Sequence, residues 1–264
     1  MAGVVQGHFG ELLQGRIGPD GPVALITLPC PAFTATVTSA PASGFSLTES
    51  APVLGPDRAR LMLAALGLPQ AGAYRLTLTM PPGGGAGASS AALMALALAA
   101  GAGDPKAITA AALSIEGATD PLLAPAPERL LWASRQGRTL AEMPGLPRFE
   151  VLGGFLGPGQ RTDPLDNDFP DIADLVAAWP RACGVLRDMA ALASESARRT
   201  LARRGPAGDP TEALALRFGA FGHVIAHTGS ARGLIFAAGM VPQAALAALR
   251  EAGFSQITRF GCGG

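Results

Sequence analysis

The residues best suited to chemistry lie in a glycine-rich stretch near the middle of the chain, residues 81–90. Before it, residues 74–80 alternate polar and apolar side chains, and after it residues 91–100 are rich in alanine and leucine, patterns typical of a strand and a helix. A glycine loop that leads into a helix presents unpaired backbone amides and the positive end of the helix dipole to an anion. The stretch therefore predicts a phosphate-binding site.

Two widespread phosphate motifs do not fit this stretch. A P-loop needs a lysine that reaches the phosphates, and Lys106, the only lysine of the chain, lies outside the loop. Gly83, Gly85 and Ala88 match the dinucleotide-binding pattern, but the acidic residue of that pattern, about 20 positions further on, should close a second strand. Asp104 instead lies between two alanine-rich helical segments.

Two interpretations without phosphate stay open. The glycines can form an ordinary tight turn, although a turn seldom needs so many of them. Residues 87–91 also imitate the nucleophile elbow of a serine hydrolase, with Ser89 as the nucleophile and the late histidines as bases. The hydrolase pattern leaves the glycines at positions 83–85 unexplained.

A second group of chemically useful residues lies near the start of the chain. Residues 7–15 have the sequence Gly-His-Phe-Gly-Glu-Leu-Leu-Gln-Gly. Three glycines around an acid favour a strand that passes close to a ligand, because glycine allows close approach of the backbone. From the spacing alone, a hairpin with an exposed Glu11 is an equal interpretation.

Two acidic residues follow the helix after the loop. Residues 105–117 are predicted as a helix that starts at a proline. Glu116 and Asp120 would share one helix face if the helix continued, but Pro121 follows them. Acids at a helix end are commonly just solvated, so the alternatives are a solvated terminus and a catalytic pair.

Composition points to a small-molecule partner. The chain has 264 residues, of which 48% are hydrophobic, and its 20 basic and 20 acidic residues cancel. No overall field attracts nucleic acid or an anionic membrane. Cys30, Cys183 and Cys262 are few and widely spaced, which suggests neither a disulfide framework nor a thiolate zinc site. The apolar run after Ser90 ends at Gly101, short of a membrane span, and we expect a soluble, cytoplasmic protein.

The remaining pattern predicts a sheet covered by helices, that is, the α+β class. Before the loop, residues 22–38 indicate two strands broken by Pro29 and Pro31, residues 46–49 an edge strand and residues 58–66 a helix. Proline-rich residues 122–147 suggest a crossover to a second domain. The later elements are predicted as strands at 149–156, 223–227, 234–238 and 256–260, and as helices at 172–204 with a break at Trp179-Pro180, at 210–221 and at 243–252.

The glycine stretch resembles the phosphate-binding motif of one kinase superfamily. Residues 81–91 resemble the pattern P-x-x-x-G-L-G-S-S-A-A of the GHMP kinases, which include galactokinase, homoserine kinase, mevalonate kinase and phosphomevalonate kinase; Pro81, Gly85, Gly87, Ser89 and Ala91 match it. Ala86 replaces the usual leucine and Ala88 the first serine, whereas Ser89 is retained.

This resemblance implies a two-domain α+β GHMP kinase fold. Residues 1–147 would form a nucleotide-binding domain similar to domain 2 of ribosomal protein S5, and residues 148–264 a ferredoxin-like domain. ATP would be the phosphate donor, Mg²⁺ would be held by Ser89 and Glu116, and Asp120 would orient or deprotonate the acceptor hydroxyl. The implied nucleotide-binding residues are Pro82, Gly83, Gly84, Gly85, Ala86, Gly87, Ala88, Ser89 and Ser90.

Residues 7–15 in particular are similar to the G-x-x-G-E-L-x-Q-G motif of the L-threonine kinase branch, which is associated with propanediol utilisation and cobalamin synthesis. L-Threonine is the acceptor that this implies; homoserine, another amino-alcohol or a sugar, a catalytically silent nucleotide sensor, and the hydrolase stay open as alternatives. A homodimer is compatible with this reading. The implied substrate-binding residues are Gly7, His8, Gly10, Glu11 and Gln14 on one side, and Thr228, Gly229 and Ser230 on the other.

Overall fold

The computed structural model describes residues 1–264, in which ten strands form one curled, mixed sheet. Along the sheet the strands follow the order β10-β7-β9-β8-β1-β2-β4-β3, and the hairpin of β5 and β6 attaches to β2. β1 therefore lies near the middle. The strands are β1 (Ala2–Arg16), β2 (Val23–Ala40), β3 (Phe45–Glu49), β4 (Gly72–Leu78), β5 (Leu130–Ala133), β6 (Arg138–Glu142), β7 (Phe149–Phe155), β8 (Gly222–Ile225), β9 (Ala231–Ala237) and β10 (Ser255–Cys262).

Seven α-helices accompany the sheet: α1 (Gly55–Ala65), α2 (Ala88–Ala99), α3 (Pro105–Glu116), α4 (Ala173–Ala182), α5 (Leu186–Arg204), α6 (Thr211–Arg217) and α7 (Gln243–Glu251). α2 packs on β1 and β2, and α5 packs on β8 and β1. Nearly every residue of α2 is buried, which its small alanine side chains permit without crowding. No helix combines the length and the apolarity that a membrane crossing requires.

Several elements predicted from the sequence are confirmed. The strand before the glycines is β4, the helix after them is α2, and β3 is an edge strand that pairs only with β4. α3 begins after Asp104, whose side chain accepts a hydrogen bond from the amide of Lys106, and ends at Gly117 in the left-handed conformation. Asp120 therefore lies beyond the helix and not on one face with Glu116.

Two predicted chain breaks are wrong. β2 is a single strand through Pro29 and Pro31, because both prolines lie beside register shifts of the β1–β2 pair, where the hydrogen-bond ladder is already interrupted. α4 continues through Pro180, and the break before α5 falls instead at residues 183–185, which include a glycine. The strand predicted at residues 223–227 is also shorter than expected: β8 ends at Ile225, so His227 lies outside it.

The predicted domains share one sheet. Glu11 of β1 pairs with Ile225 of β8, which joins strands from residues 1–147 to strands from residues 148–264. The division between residues 147 and 148 stays a prediction.

A cluster of four phenylalanines fills the core between these two parts of the chain. The ring of Phe9 lies 6.0 Å from that of Phe33, 5.8 Å from that of Phe155 and 5.5 Å from that of Phe260. A Cβ atom on Gly153 would lie 2.6 Å from the ring of Phe9, so this glycine makes room for it. Aromatic pairs at these separations add to the stability that burial already provides.

We expect Phe9→Ala to lower the free energy of unfolding by about 3–5 kcal/mol, because the ring is fully buried and leaves a cavity. Urea denaturation followed by circular dichroism measures this loss. The matched control is Phe221→Ala. Because Phe221 is 39% exposed, this substitution should lower the free energy of unfolding by less than about 1 kcal/mol. Equal losses in the two variants would contradict the central place given to Phe9.

Candidate functional site

The glycine loop turns its carbonyl groups into the protein. Four successive carbonyls accept hydrogen bonds from three other segments: Gly83 from the amide of Gln160 (2.8 Å), Gly84 from those of Ser230 and Ala231 (3.0 and 2.9 Å), Gly85 from that of Gly10 (3.0 Å) and Ala86 from that of His8 (3.2 Å). Because a peptide carbonyl and the following N–H point in opposite directions, this arrangement turns the amides of the loop away from the protein interior.

These amides are free to bind a ligand. The amides of Gly83, Gly85, Ala86 and Gly87 donate to no group in the protein. The first hydrogen bond of α2 runs from Ala91 to the carbonyl of Gly87 (2.9 Å), which leaves the amides of residues 88–90 without an intrahelical acceptor. A run of unpaired N–H groups at a helix N-terminus favours an anion, and phosphate binding there stays a prediction.

The glycines outside the loop allow this close packing. A Cβ atom on Gly7 would lie 2.5 Å from the carbonyl oxygen of Ala86, and one on Gly229 would lie 2.4 Å from the amide nitrogen of Gly85. Gly10 has a φ of 64° and donates to Gly85. These residues, together with buried Ser230, hold the loop in place.

At the start of α2, four side chains form one hydrogen-bonded group. Ser90 Oγ donates to Glu116 Oε2 over 2.7 Å, and Ser89 Oγ donates to the other oxygen of the same carboxylate. Arg58 of α1 donates to Ser89 Oγ over 2.9 Å and forms an ion pair with Glu116. The end of α3 thus brings Glu116 to the N-terminus of α2, where the sequence analysis places it beside Ser89.

This group fits a hard cation. Serine hydroxyl and glutamate oxygens are ligands that Mg²⁺ accepts, and those of Ser89 and Glu116 already lie within hydrogen-bond distance of each other. The guanidinium of Arg58 occupies the same carboxylate, so the site already accommodates positive charge.

Asp120 belongs to a second group, together with His8 and Glu11 of β1. His8 is 3.3 Å from Asp120 through Nε2 and 3.3 Å from Glu11 through Nδ1. Both His8 and Glu11 are buried, with exposures of 4% and 6%. A Cβ atom on Gly87 would lie 2.6 Å from the imidazole ring, so the glycine loop rests directly against His8. The imidazole therefore connects the acidic group to the anion site.

The two carboxylates control the protonation of His8. Burial by itself lowers the pKa of His8, but the charges of Glu11 and Asp120 outweigh it and raise the pKa to about 9. Burial raises the pKa of Glu11 to about 8, although the charge of His8 opposes the shift. A protonated imidazole between two carboxyl groups suits proton transfer and charge stabilisation. The ligand atoms of the three side chains also lie within 4.8 Å of one another, so a metal ion that displaced the proton would find three ligands there.

Both groups open into one cleft of about 380 Å³. Most of the predicted nucleotide residues line it, and so do Glu116, Asp120 and four of the predicted substrate residues. Gly84 does not line the cleft, because its position is packed against Phe155. The predicted residues that line it are Pro82, Gly83, Gly85, Ala86, Gly87, Ala88, Ser89, Ser90, His8, Glu11, Gln14, Thr228, Glu116 and Asp120.

The geometry does not assemble a hydrolase triad. Ser89 hydrogen-bonds Glu116 and Arg58 but no histidine. His227 lines the cleft, yet its Nε2 is 2.6 Å from the guanidinium of Arg204 and its ring stacks on Phe169. Burial and the charge of Arg204 lower the pKa of His227 to about 3, which makes it a poor base.

Sequence reasoning missed three arginines of the cleft. Arg58, Arg135 and Arg161 all line it, although they come from a helix, a hairpin turn and a loop that are far apart in the chain. No motif surrounds any of them. The absence of lysine from the glycine loop was the one available signal, since a phosphate site without lysine needs another cation.

We expect the free energy of unfolding to fall as pH rises from about 6.5 to 9. The folded state holds the His8 proton up to about pH 9 whereas the unfolded chain releases it near 6.5, so the contribution of His8 is complete below pH 6.5 and is lost by pH 9. Glu11 acts with the same sign between its ordinary 4.5 and about 8. Urea denaturation across this pH range measures the decline.

An NMR titration of the three imidazoles identifies the group responsible. His8 should titrate well above the ordinary value in the wild type and closer to it in Asp120→Asn, which removes one of the two charges. Titration of His8 near pH 6.5 in the wild type would contradict the arrangement. His223 lies outside the cleft, and burial lowers its pKa, so it serves as the internal control.

Comparisons with known proteins identify the fold. No protein-family profile matches the chain, and no curated protein matches it. Solved structures do match over their full length. A mevalonate kinase is superposed with a TM-score of 0.68 at 11% identity, covering 100% of this chain and 98% of that one. The homoserine kinase of Cytophaga hutchinsonii gives a TM-score of 0.61 at 17% identity, and the match covers 99% of this chain and 94% of that one.

A 4-(cytidine 5'-diphospho)-2C-methyl-D-erythritol kinase gives a TM-score of 0.58 at 20% identity, with both chains covered completely. All three identities are low, so the likeness concerns the fold. The chain therefore has the mixed α/β fold, with its curled sheet, that is found in structures of mevalonate, homoserine and cytidine-diphospho-methylerythritol kinases.

Proposed function

We propose that this protein is an ATP-dependent kinase that transfers the γ-phosphoryl group to a hydroxyl of a small molecule. One observation carries the proposal: the cleft combines a run of unpaired loop amides with the serine–glutamate group on one side and Asp120 on the other. Phosphoryl transfer needs mainly positioning and charge stabilisation, and both are available there. The fold shared with several kinases supports the same conclusion.

The triphosphate of ATP would lie on the amides of the glycine loop and the first turn of α2. These donors are fixed before the ligand arrives, because the carbonyls of the same peptides are bonded to β1 and to the segments at Gln160 and Ser230. Preorganised donors stabilise charge without a cost of reorganisation during the reaction. Arg58 supplies the positive charge that a P-loop takes from lysine.

Ser89 and Glu116 are the residues that would hold Mg²⁺. When bound, the ion would supply positive charge that neutralises the phosphates. In its absence Arg58 balances the carboxylate of Glu116. Arg58 would then turn from this carboxylate toward the phosphates.

The acceptor hydroxyl would lie at Asp120. An ionised carboxylate can accept the hydroxyl proton as the bond to phosphorus forms. His8 is held in place by Glu11 and by the glycine loop, and it fixes the orientation of Asp120. We propose Asp120 as the base or orienting group and His8 and Glu11 as its positioning residues.

L-Threonine is the acceptor that we propose. The support is the resemblance of residues 7–15 to the motif of L-threonine kinases, which would place the reaction in cobalamin side-chain synthesis or propanediol utilisation. His8, Glu11 and Gln14 of this motif line the cleft beside Asp120, where a small amino acid would bind.

The test is ATP consumption in the presence of single acceptors, with the phosphorylated product identified by mass spectrometry. L-Threonine, L-serine, L-homoserine, mevalonate and galactose form the panel. Product with L-threonine alone would support the full proposal, and product with another member would correct the acceptor. ATP binding without any product would leave a nucleotide sensor and contradict the kinase.

We expect Ser89→Ala to lower kcat about 10- to 100-fold while changing the free energy of unfolding by less than about 1 kcal/mol, because the hydroxyl serves the phosphate and cation site and not the core. Ser114→Ala is the matched control, since that hydroxyl bonds only a carbonyl of its own helix, Ala111. Steady-state kinetics and urea denaturation measure the two effects. Undiminished turnover in Ser89→Ala would contradict the assigned site.

We expect Arg58→Met to lower kcat about 100-fold, the usual cost of one lost charge-stabilising donor. Arg60→Met, on the same helix and paired with exposed Asp57, should leave kcat unchanged. Both variants remove a guanidinium and keep a long apolar side chain, so the difference between them reports the cleft position alone. A similar small effect in both would remove Arg58 from the phosphate site.

A further inference from the structure

Arg135 is fixed beside Asp120 by the hairpin that carries it. The residue follows β5, and the carbonyl of its neighbour Ser134 accepts a hydrogen bond of 3.0 Å from the amide of Thr119. The indole Nε1 of Trp132 donates to the carbonyl of Thr119 over 2.7 Å. These two bonds tie the hairpin to the residue directly before Asp120. The backbone of Arg135 is therefore held at a constant distance from the backbone of Asp120 in the cleft wall, while its side chain can still turn.

The guanidinium of Arg135 is only partly satisfied. Nη2 donates to the carbonyls of Asp163 and Asp166 over 3.1 and 3.4 Å. Nε and Nη1 are buried and have no hydrogen-bond partner. Arg135 also forms no ion pair, in contrast to Arg58 and Arg204 nearby. Although the residue as a whole is partly exposed, two buried N–H groups without a partner on a charged side chain are costly, and a bound anion would remove this cost.

A second arginine of the same wall is also unpaired. Arg161 lines the cleft and makes neither an ion pair nor a hydrogen bond through its side chain. It belongs to the segment that Arg135 holds at Asp163, and the amide of Gln160 in that segment bonds the glycine loop. Two guanidinium groups that form no ion pair thus line a cleft in which Glu116 has both of its oxygens bonded. Asp120, Asp163 and Asp166 lie near enough to act on the charge of Arg135, but none of them forms an ion pair with it.

We propose that Arg135 binds an anionic group of the acceptor, and that the acceptor is a short hydroxy acid whose carboxylate lies at Arg135 when its hydroxyl lies at Asp120. This inference rests on the proposed kinase function. A guanidinium N–H makes a strong, charge-assisted hydrogen bond to a carboxylate, and Nε and Nη1 each have an unused donor. Arg135 lines the cleft and is partly exposed, so binding would turn its side chain until one of these nitrogens donates to the carboxylate.

The loop amides make the triphosphate an unsuitable partner for Arg135. The nucleotide phosphates have their own donors at residues 83–90 and a cation at Arg58. Arg135 instead is tied to the Asp120 segment. A neutral alcohol or sugar would leave Nε and Nη1 unpaired, and a site with unpaired polar groups discriminates strongly against such a ligand.

The experiment compares each hydroxy acid with its primary amide, in the wild type, in Arg135→Gln and in Arg138→Gln. L-Threonine, L-serine and L-homoserine are the acids. Arg138 is the matched control, because it lies on the same hairpin and bonds only Gln136. We expect the wild type to favour the acid over its amide at least about 30-fold in kcat/KM, mainly through KM. In Arg135→Gln, kcat/KM for the acid should fall about 10- to 100-fold, whereas kcat/KM for the amide should change little.

Calorimetric titration of the same acids in the presence of a non-hydrolysable ATP analogue separates this inference from the proposed function. Phosphorylation of acids and amides with equal efficiency would overturn the role of Arg135 and leave the kinase intact. Carboxylate binding that disappears in Arg135→Gln, without turnover on any acceptor, would support the anion site and overturn the kinase. Neither binding nor turnover with any of the acids would overturn the role of Arg135, and absence of product across the whole acceptor panel would overturn the kinase as well.

Discussion

The structure depends on one backbone constraint, the inward direction of four successive carbonyls in the glycine loop. Each of these carbonyls is bonded by another part of the chain, from β1, from the segment at Gln160 or from the segment before β9. The amides of the same peptides must then point toward the cleft. A side chain that bound phosphate would have to lose rotamer freedom on binding, whereas this cradle is ordered by folding.

β1 performs two tasks that require its irregular register. Its apolar side chains, with Phe9 at the centre, fill the core between the two parts of the chain. Its polar side chains His8 and Glu11 face the cleft, although strict alternation would not place them together. The register shifts between His8 and Glu11 and the left-handed Gly10 solve this conflict, because a bulge redirects side chains without ending a strand.

The sequence predicts the local elements well because their signals are local. The glycines, the alanine-rich α2 and the proline that starts α3 each specify a short segment. The pairing of Ser89 with Glu116 is implied only by the motif resemblance, because helix ends alone do not show which of them meet. The continuity of β2 through Pro29 and Pro31 could not be predicted, since it depends on a register shift in the neighbouring strand. The same holds for Asp120, whose partner His8 is 112 positions away.

The arginines of the cleft lie beyond sequence reasoning for a related reason. Arginines are common on exposed helix faces, and Arg198 and Arg199 of this chain indeed pair with nearby acids there. Arg58 and Arg135 differ from these arginines in how many of their N–H groups form hydrogen bonds, and in the atoms that accept them. That number is fixed by the tertiary fold.

Charge balance then explains why the cleft uses a histidine between two acids. The raised pKa keeps a proton on His8 at neutral pH, and this positive charge lies 3.3 Å from the carboxyl groups of both Glu11 and Asp120. It offsets part of the negative charge that these two groups bring to the cleft, and so it reduces their repulsion of an incoming triphosphate. Through Nε2 the same imidazole fixes the orientation of Asp120, so one buried histidine serves both charge balance and positioning.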